Sequence, residues 1–216
     1  MSATEARTRN PVRAVLRFVA SVMIVSGLLL IGDAGATLAW QEPVSAFLAQ
    51  REQTELRESL DHPPPLVSAR IMARRPLPGD AIGEINMPAI DKSAFVVEGT
   101  DTDDLRRGPG HYHDTPLPGQ RGTVAIAGHR TTHGAPFRNI DQLDPGDSIE
   151  VEMPYGTFYY RVERTRIVDP TALWVKDKVG YNRLILSACH PLYSAAQRIV
   201  VFARYVRRTA ATVQEG

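Results

Sequence analysis

The chain is almost without cysteine: Cys189 is the single one among 216 residues. An intrachain disulfide is thereby excluded, and one thiol cannot build a zinc site alone. Net charge is nearly absent too, at +1, so no global field draws the chain toward nucleic acid or an acidic partner. There is no internal repeat. Gly and Pro are plentiful, 16 each, which favours many short strands joined by turns over long helices. Hydrophobic residues at 43% and charged ones at 23% are ordinary for a folded protein. The length suits one globular domain with an appendage.

The appendage is N-terminal. Arg7, Arg9, Arg13 and Arg17 precede an uncharged apolar run from Phe18 to Ile31; Asp33 interrupts, and apolar sequence resumes from Ala34 to Trp40. With Val15, Leu16 and a snorkelling Arg17 the run reaches the roughly 20 residues a spanning helix needs. The basic flank comes first, so the N-terminus is expected in the cytoplasm and the rest outside. Trp40 would mark the outer interface. A signal peptide cleaved after Ala34-Gly35-Ala36 is the competing reading; a buried soluble helix fits the arginine cluster least. The expected division is a basic N-terminus (1–14), a signal-anchor (15–40), an extracytoplasmic helix and linker (41–79), a catalytic domain (80–207) and a tail (208–216).

Pro43 to Leu60 reads as an exposed helix, ended by His62-Pro63-Pro64-Pro65, since proline cannot continue a helix interior. Beyond Asp80, strands are expected at Ala81–Met87, Ala94–Val97, Thr123–Ala127, Ser148–Met153, Thr157–Val162, Leu184–Ala188 and Ile199–Tyr205. Turn chemistry at Asp144-Pro145-Gly146-Asp147 and Pro154-Tyr155-Gly156 separates some of them. The last strand is apolar on both alternating faces, as a central strand buried on both sides would be. Short helices are expected at Asp101–Arg106 and Phe137–Leu143. The residues alone therefore point to a mostly antiparallel barrel or sandwich with helical decorations.

Cys189 closes the apolar strand Leu184–Ala188 and is followed by His190-Pro191. Many free cysteines are simply buried hydrophobes. In an exported domain, however, an unpaired cysteine is a candidate reactive thiol, and a strand end opening into a loop is where a scaffold presents a functional side chain. A nucleophilic thiolate needs a base or an ion-pair partner. Of the six histidines, His129 also sits where a strand, Thr123–Ala127, opens into a loop; an ordinary surface histidine is the alternative. His190 adjoins the cysteine but points to the other face of an extended chain. His111 and His113 lie in a Gly/Pro-rich loop and could meet substrate or solvent. Arg198 opens the last strand nine positions after Cys189. If that connection joins antiparallel neighbours, its guanidinium stands beside the thiol as an oxyanion donor; a solvated arginine is the alternative.

The stretches Gly128-His129-Arg130-Thr131-Thr132-His133-Gly134-Ala135-Pro136-Phe137 and Leu186-Ser187-Ala188-Cys189-His190-Pro191, with Arg198 beyond, resemble the sortases. Gly108-Pro109-Gly110-His111-Tyr112 is similar to the actinobacterial class E members. The resemblance covers roughly Asp80 to Arg204. Ile185 and Ala188 depart from the family's Thr-Leu-x-Thr-Cys pattern, which bears on substrate positioning rather than on the nucleophile. The resemblance implies a mostly β fold: a closed eight-stranded sortase-type barrel with short helices behind an N-terminal transmembrane helix. It implies a thiolate at Cys189 facing an imidazolium at His129, with Arg198 steadying the oxyanion or the peptide. His111, Arg130, Ser187, Ala188 and His190 are candidate substrate contacts. The implied reaction cuts a C-terminal LPXTG/LAXTG-like sorting motif after Thr and passes the acyl group to an amine of a peptidoglycan precursor or a pilin. Secreted proteins carrying such motifs would be the partners, and the location would be a single-pass membrane protein with its catalytic domain outside. No cofactor or metal is implied, and no clustered carboxylate loop suggests calcium. An L,D-transpeptidase would carry Gly before the cysteine, where Ala188 stands. An NlpC/P60-type hydrolase would place Cys before His. An anchored non-catalytic binding module is the remaining alternative.

Overall fold

A computed structural model describes residues 11–39 and 43–210. Arg7, Arg9, Trp40 and the last six residues of the expected tail lie outside the described residues. The chain divides into two units, 1–43 and 44–216.

The described residues of the first unit form one helix, α1 (Pro11–Ala39). Its stretch Val12–Ala36 has a mean hydropathy of 2.4 and is long and apolar enough to cross a membrane. At about 1.5 Å per residue those 25 residues exceed a hydrocarbon core of roughly 30 Å.

The second unit is a closed barrel built from β1 (Ala81–Met87), β2 (Lys92–Glu98), β3 (Gly110–His111), β4 (Thr123–Ala127), β5 (Ser148–Met153), β6 (Gly156–Val168), β7 (Arg183–His190) and β8 (Gln197–Thr209). The order around the barrel is β1-β2-β3-β4-β7-β8-β6-β5, closed by β1 against β5. Closure leaves no unpaired edge. Most neighbours are antiparallel, as expected; β2/β3 and β4/β7 are parallel. Strand alternation sends Ile85, Val151, Phe158, Leu184, Leu186 and Val201 into the main core. A second, smaller apolar cluster lies on the outer face of β4, β7 and β8: Ala125, Ile185, Val200 and Phe202, roofed by Val175 from the long β6–β7 connection. Residues Ile199 to Ala203 are buried on both faces, as the unbroken apolar run of β8 requires.

Several expectations are corrected. The helix expected from Pro43 to Leu60 forms and is mostly exposed, but it is docked on the barrel, and the stretch after it is not a loose linker. Helix α2 (Pro43–Asp61) buries Leu56 completely against Ala81 and Val97. Its Gln53 amide mimics a strand: it accepts from Phe95 N at 2.7 Å and donates to the Phe95 and Arg107 carbonyls. The triproline starts α3 (Pro65–Met72), which sinks Ile71 into the main core, and Arg70 clasps Asp80 at 3.1 Å. Proline is well placed at a helix start, where its missing N–H costs nothing. Helix α4 (Thr102–Arg107) forms as expected, held by a capping box between Asp101 and Asp104. At Phe137–Leu143 only a single 3-10 turn forms, Ile140–Gln142. Strands β6 and β8 run to 13 residues each because register shifts near Tyr159 and Val162 keep them paired through the arginine-rich stretch.

Candidate active site

The parallel pairing of β4 with β7 makes the site. Parallel neighbours deliver their C-terminal ends to the same rim of the barrel. Ala127 pairs with Ser187, and Gly128 N continues the ladder to Ser187 O at 3.0 Å. His129, just past the end of β4, and Cys189, on β7, each lie two residues beyond that pair, so the two residues reach the same rim side by side. On the far side of β7, Cys189 pairs directly with Arg198 across the antiparallel β7/β8 ladder. Strands in a sheet sit about 4.7–4.9 Å apart. His129, Cys189 and Arg198 thus form one row across three neighbouring strands, on the outer face shared with Ile185 and Val200.

Each member of the row is held. Gly128 lets the Phe137 ring press against the backbone: a Cβ there would lie 2.6 Å from Phe137 Cδ2. Phe137 N also donates to His129 O at 3.0 Å. The loop then reverses through His133, Gly134 and Ala135, all at positive φ, and brings the His133 ring onto His129 with centroids 4.8 Å apart. Burial lowers the proton affinity of His129 below that of an ordinary histidine, and the neighbouring His133 lowers it further. Cys189 is half-buried. Arg198 donates both Nη1 protons to Ala195 O (2.9 Å) and Gln197 O (3.0 Å). A guanidinium has five N–H groups, so these two bonds leave Nε and Nη2 for other acceptors.

Beside the row opens a cleft of about 70 Å³, lined by Tyr112, Val168, Leu173, Ser187, Arg198 and Val200. A larger groove of about 410 Å³ runs between α2 and the barrel and meets the site only through the loop carrying His133. The cleft, not the groove, reaches the row, through Arg198 and through Ser187, two residues before Cys189 on β7.

The remaining sequence-based candidates separate. Ser187 lines the cleft, its Oγ 3.4 Å from Tyr112 Oη. Ala188 faces the barrel interior, 4% exposed among the core residues; strand alternation removes it from substrate contact. Arg130 is 3% exposed. It donates to Arg138 O at 3.0 Å, pairs with Asp141 at 2.9 Å and reaches His190 Nδ1 at 3.2 Å. It is a staple between the His129 loop and the Cys189 strand, fully occupied, and not a substrate contact. His190, half-buried, is the other end of that staple. His111 meets neither substrate nor solvent: it is 1% exposed, with Nδ1 2.8 Å from Glu98 and Nε2 near Thr115 Oγ1 and Pro116 O. Pairing of β3 with β4 pulls it inside, and a two-residue strand in a Gly/Pro-rich stretch gives no periodicity from which to foresee it. Tyr112 lines the cleft and was not singled out by sequence reasoning. Among the described residues, no group of three or more His, Cys, Asp or Glu could hold a metal ion.

A closed eight-stranded barrel with a thiol, an imidazole and a guanidinium at one rim carries the groups that cysteine acyl transfer needs. The Sortase domain family matches residues 85–206, and the chain belongs to the sortase family, whose members are cysteine transpeptidases. Sortase D of Bacillus subtilis is 34% identical over 142 residues, covering 61% of this chain and 67% of that protein. Sortase SrtE1 of Streptomyces coelicolor is 28% identical over 94% of this chain, which spans 61% of its length. Among solved structures, sortase E from Streptomyces avermitilis is similar at 29% identity and a TM-score of 0.59, covering 65% of this chain and 97% of that one. Sortase E1 from S. coelicolor, solved with a tripeptide in its active site, is similar at 27% identity and the same TM-score, covering 64% of this chain and 95% of that one. The likeness is to class E.

Proposed function

We propose that this chain is a membrane-anchored transpeptidase that cleaves LPXTG/LAXTG-like sorting motifs through a thioester on Cys189 and joins the acyl part to an amine of the cell wall or of a pilin. The observation that carries the reading is the row His129–Cys189–Arg198 at the barrel rim, with a cleft opening beside it. The tripeptide bound at the active site of the S. coelicolor relative supports a peptide in the corresponding cleft.

The Cys189 thiolate attacks the carbonyl carbon of the motif threonine. The electron pair moves to the carbonyl oxygen, toward which the free Nε and Nη2 donors of Arg198 are available. His129, as imidazolium, protonates the departing glycine amine and leaves a thioester. Neutral His129 then takes a proton from the incoming amine, which attacks the thioester and releases the Cys189 thiolate, so the starting thiolate and imidazolium are restored. The lowered proton affinity of His129 makes its imidazolium the stronger acid toward the departing amine.

α1 is a candidate membrane anchor. With Arg13 and Arg17 at its N-terminal end, the barrel and its partners, secreted proteins bearing the motif, belong outside. The test combines wild-type protein with motif peptides and a small amine acceptor and reads ligated product by mass spectrometry. Cleavage between Thr and Gly with amine capture is expected. Equal turnover by Cys189→Ala ends the reading. Protease added to intact spheroplasts should digest the barrel; survival until lysis reverses the orientation.

A further inference from the structure

We infer that Arg183 is a positioning residue for substrate binding: from the start of β7 it clamps the β6–β7 connection into the wall of the cleft, so that the peptide finds this wall already formed. The inference rests on the function proposed above.

The connection runs from Asp169 to Asn182 between β6 and β7 and supplies Pro170, Ala172, Leu173, Val175 and Lys176 to the cleft. Fourteen residues with only one 3-10 turn, Leu173–Lys176, would ordinarily be mobile on a surface. Here Arg183, 4% exposed, gathers them. Its Nη2 donates to Val175 O at 2.9 Å and to Asp177 O at 3.0 Å, and its Nε to Thr123 Oγ1 at 3.0 Å. Thr123 Oγ1 in turn donates to Asp177 O at 2.7 Å. The guanidinium lies over the Phe202 ring at 5.3 Å, and Trp174 of the same connection stacks on that ring. All of these hydrogen-bond partners are neutral. A buried cation held by carbonyls, a hydroxyl and a ring keeps a desolvation penalty that a surface position would avoid. An apolar residue would fill the space but could not bind two loop carbonyls at once.

The far rim of the same wall is tied independently. Lys176 Nζ meets Asp114 at 2.6 Å and lies 4.8 Å from the centre of the Tyr112 ring. Tyr112 and Lys176 both line the cleft. The clamp at Arg183 and the bridge at Lys176 therefore fix the two edges of one wall. A binding surface ordered in advance spares the peptide the entropy of ordering it. Losing that order raises KM and leaves the thiol and its chemistry in place.

The test compares wild type with Arg183→Lys, Arg183→Met and, as a variant outside the buried cluster, Lys176→Met. Three quantities are read on folded protein: KM and kcat for a motif peptide, alkylation of Cys189 by iodoacetamide, and amide hydrogen exchange. Arg183→Met should raise KM about tenfold or more, equivalent to one decade of affinity, with kcat changed far less and alkylation unchanged. Exchange should accelerate across 172–178 and stay slow in β4, β7 and β8. Arg183→Lys, with a charge but no planar fork, should fall between. Lys176→Met should raise KM in the same direction. Unchanged KM with only a lower melting temperature overturns the inference, as does unchanged exchange in 172–178. If wild type processes no motif peptide, the proposed function fails, and the exchange profile still decides whether Arg183 pins the wall.

Discussion

Replacing Arg198 separates a catalytic arginine from a structural one. In the free protein its Nη1 holds two carbonyls, Ala195 of the β7–β8 loop and Gln197 at the start of β8, in exposed hydrogen bonds. Exposed bonds of this kind contribute about 0.5–1.5 kcal/mol each at most, so Arg198→Ala should cost little stability. Removal of the Nε and Nη2 donors beside Cys189 is a different matter. One lost oxyanion donor slows turnover about 100- to 1000-fold, or roughly 2.7–4 kcal/mol of activation free energy. Arg198→Lys keeps the charge but offers three donors at a single point in place of the fork, and should recover part of the rate. The assay is single-turnover acylation by a motif peptide, corrected for folded fraction by thermal melting. Equal acylation rates for the three proteins would refute the reasoning. So would a rate loss that tracks the melting temperature.

The other perturbations probe the supports of the row. His133→Ala removes one of the two influences that lower the proton affinity of His129, so the His129 ring should titrate at higher pH by NMR; a shift to lower pH contradicts the account. Since that affinity is depressed in the folded state, His129 contributes stability above the ordinary histidine pKa of about 6.5. The contribution is lost as pH falls from there toward the folded value, and His133→Ala should shrink this pH dependence. Gly128→Ala drives a methyl into Phe137, an overpacking that costs about 1–3 kcal/mol. It should displace His129 and slow acylation while iodoacetamide still labels Cys189; unaltered acylation would separate Phe137 from the site. Leu56→Ala, in a completely buried α2 position, should cost about 2–5 kcal/mol in urea unfolding, whereas a value near zero would return α2 to the status of a linker.

How far the sequence reaches depends on the range of the interaction. The strands carrying His129, Cys189 and Arg198 were legible because each is a short apolar run ending in turn chemistry, and such local patterns encode strand ends directly. The nine-residue separation of Cys189 and Arg198 also implied their pairing, which the antiparallel register realises. The β4/β7 pairing was not legible. It joins strands some sixty residues apart in parallel, and no local signal specifies it. The same limit explains the misplaced candidates. Arg130 and His111 looked like loop residues free to meet substrate, but partners distant in sequence, Asp141 and His190 for one and Glu98 for the other, bury them. Arg183 was hidden for the converse reason: it opens an apolar strand, where a charge looks like a boundary marker, and its partners are backbone carbonyls, which carry no residue identity. Helix α3 was obscured by the triproline, which reads as a break whether a helix ends before it or begins within it.

Intact-mass spectrometry of the protein incubated with a motif peptide in the absence of an amine tests the central claim most directly. The account requires that wild type gain the mass of the peptide up to its threonine, that the adduct map to Cys189, and that an added amine release it as ligated product. Peptide cleavage with no adduct at Cys189, or cleavage that persists in Cys189→Ala, would contradict it.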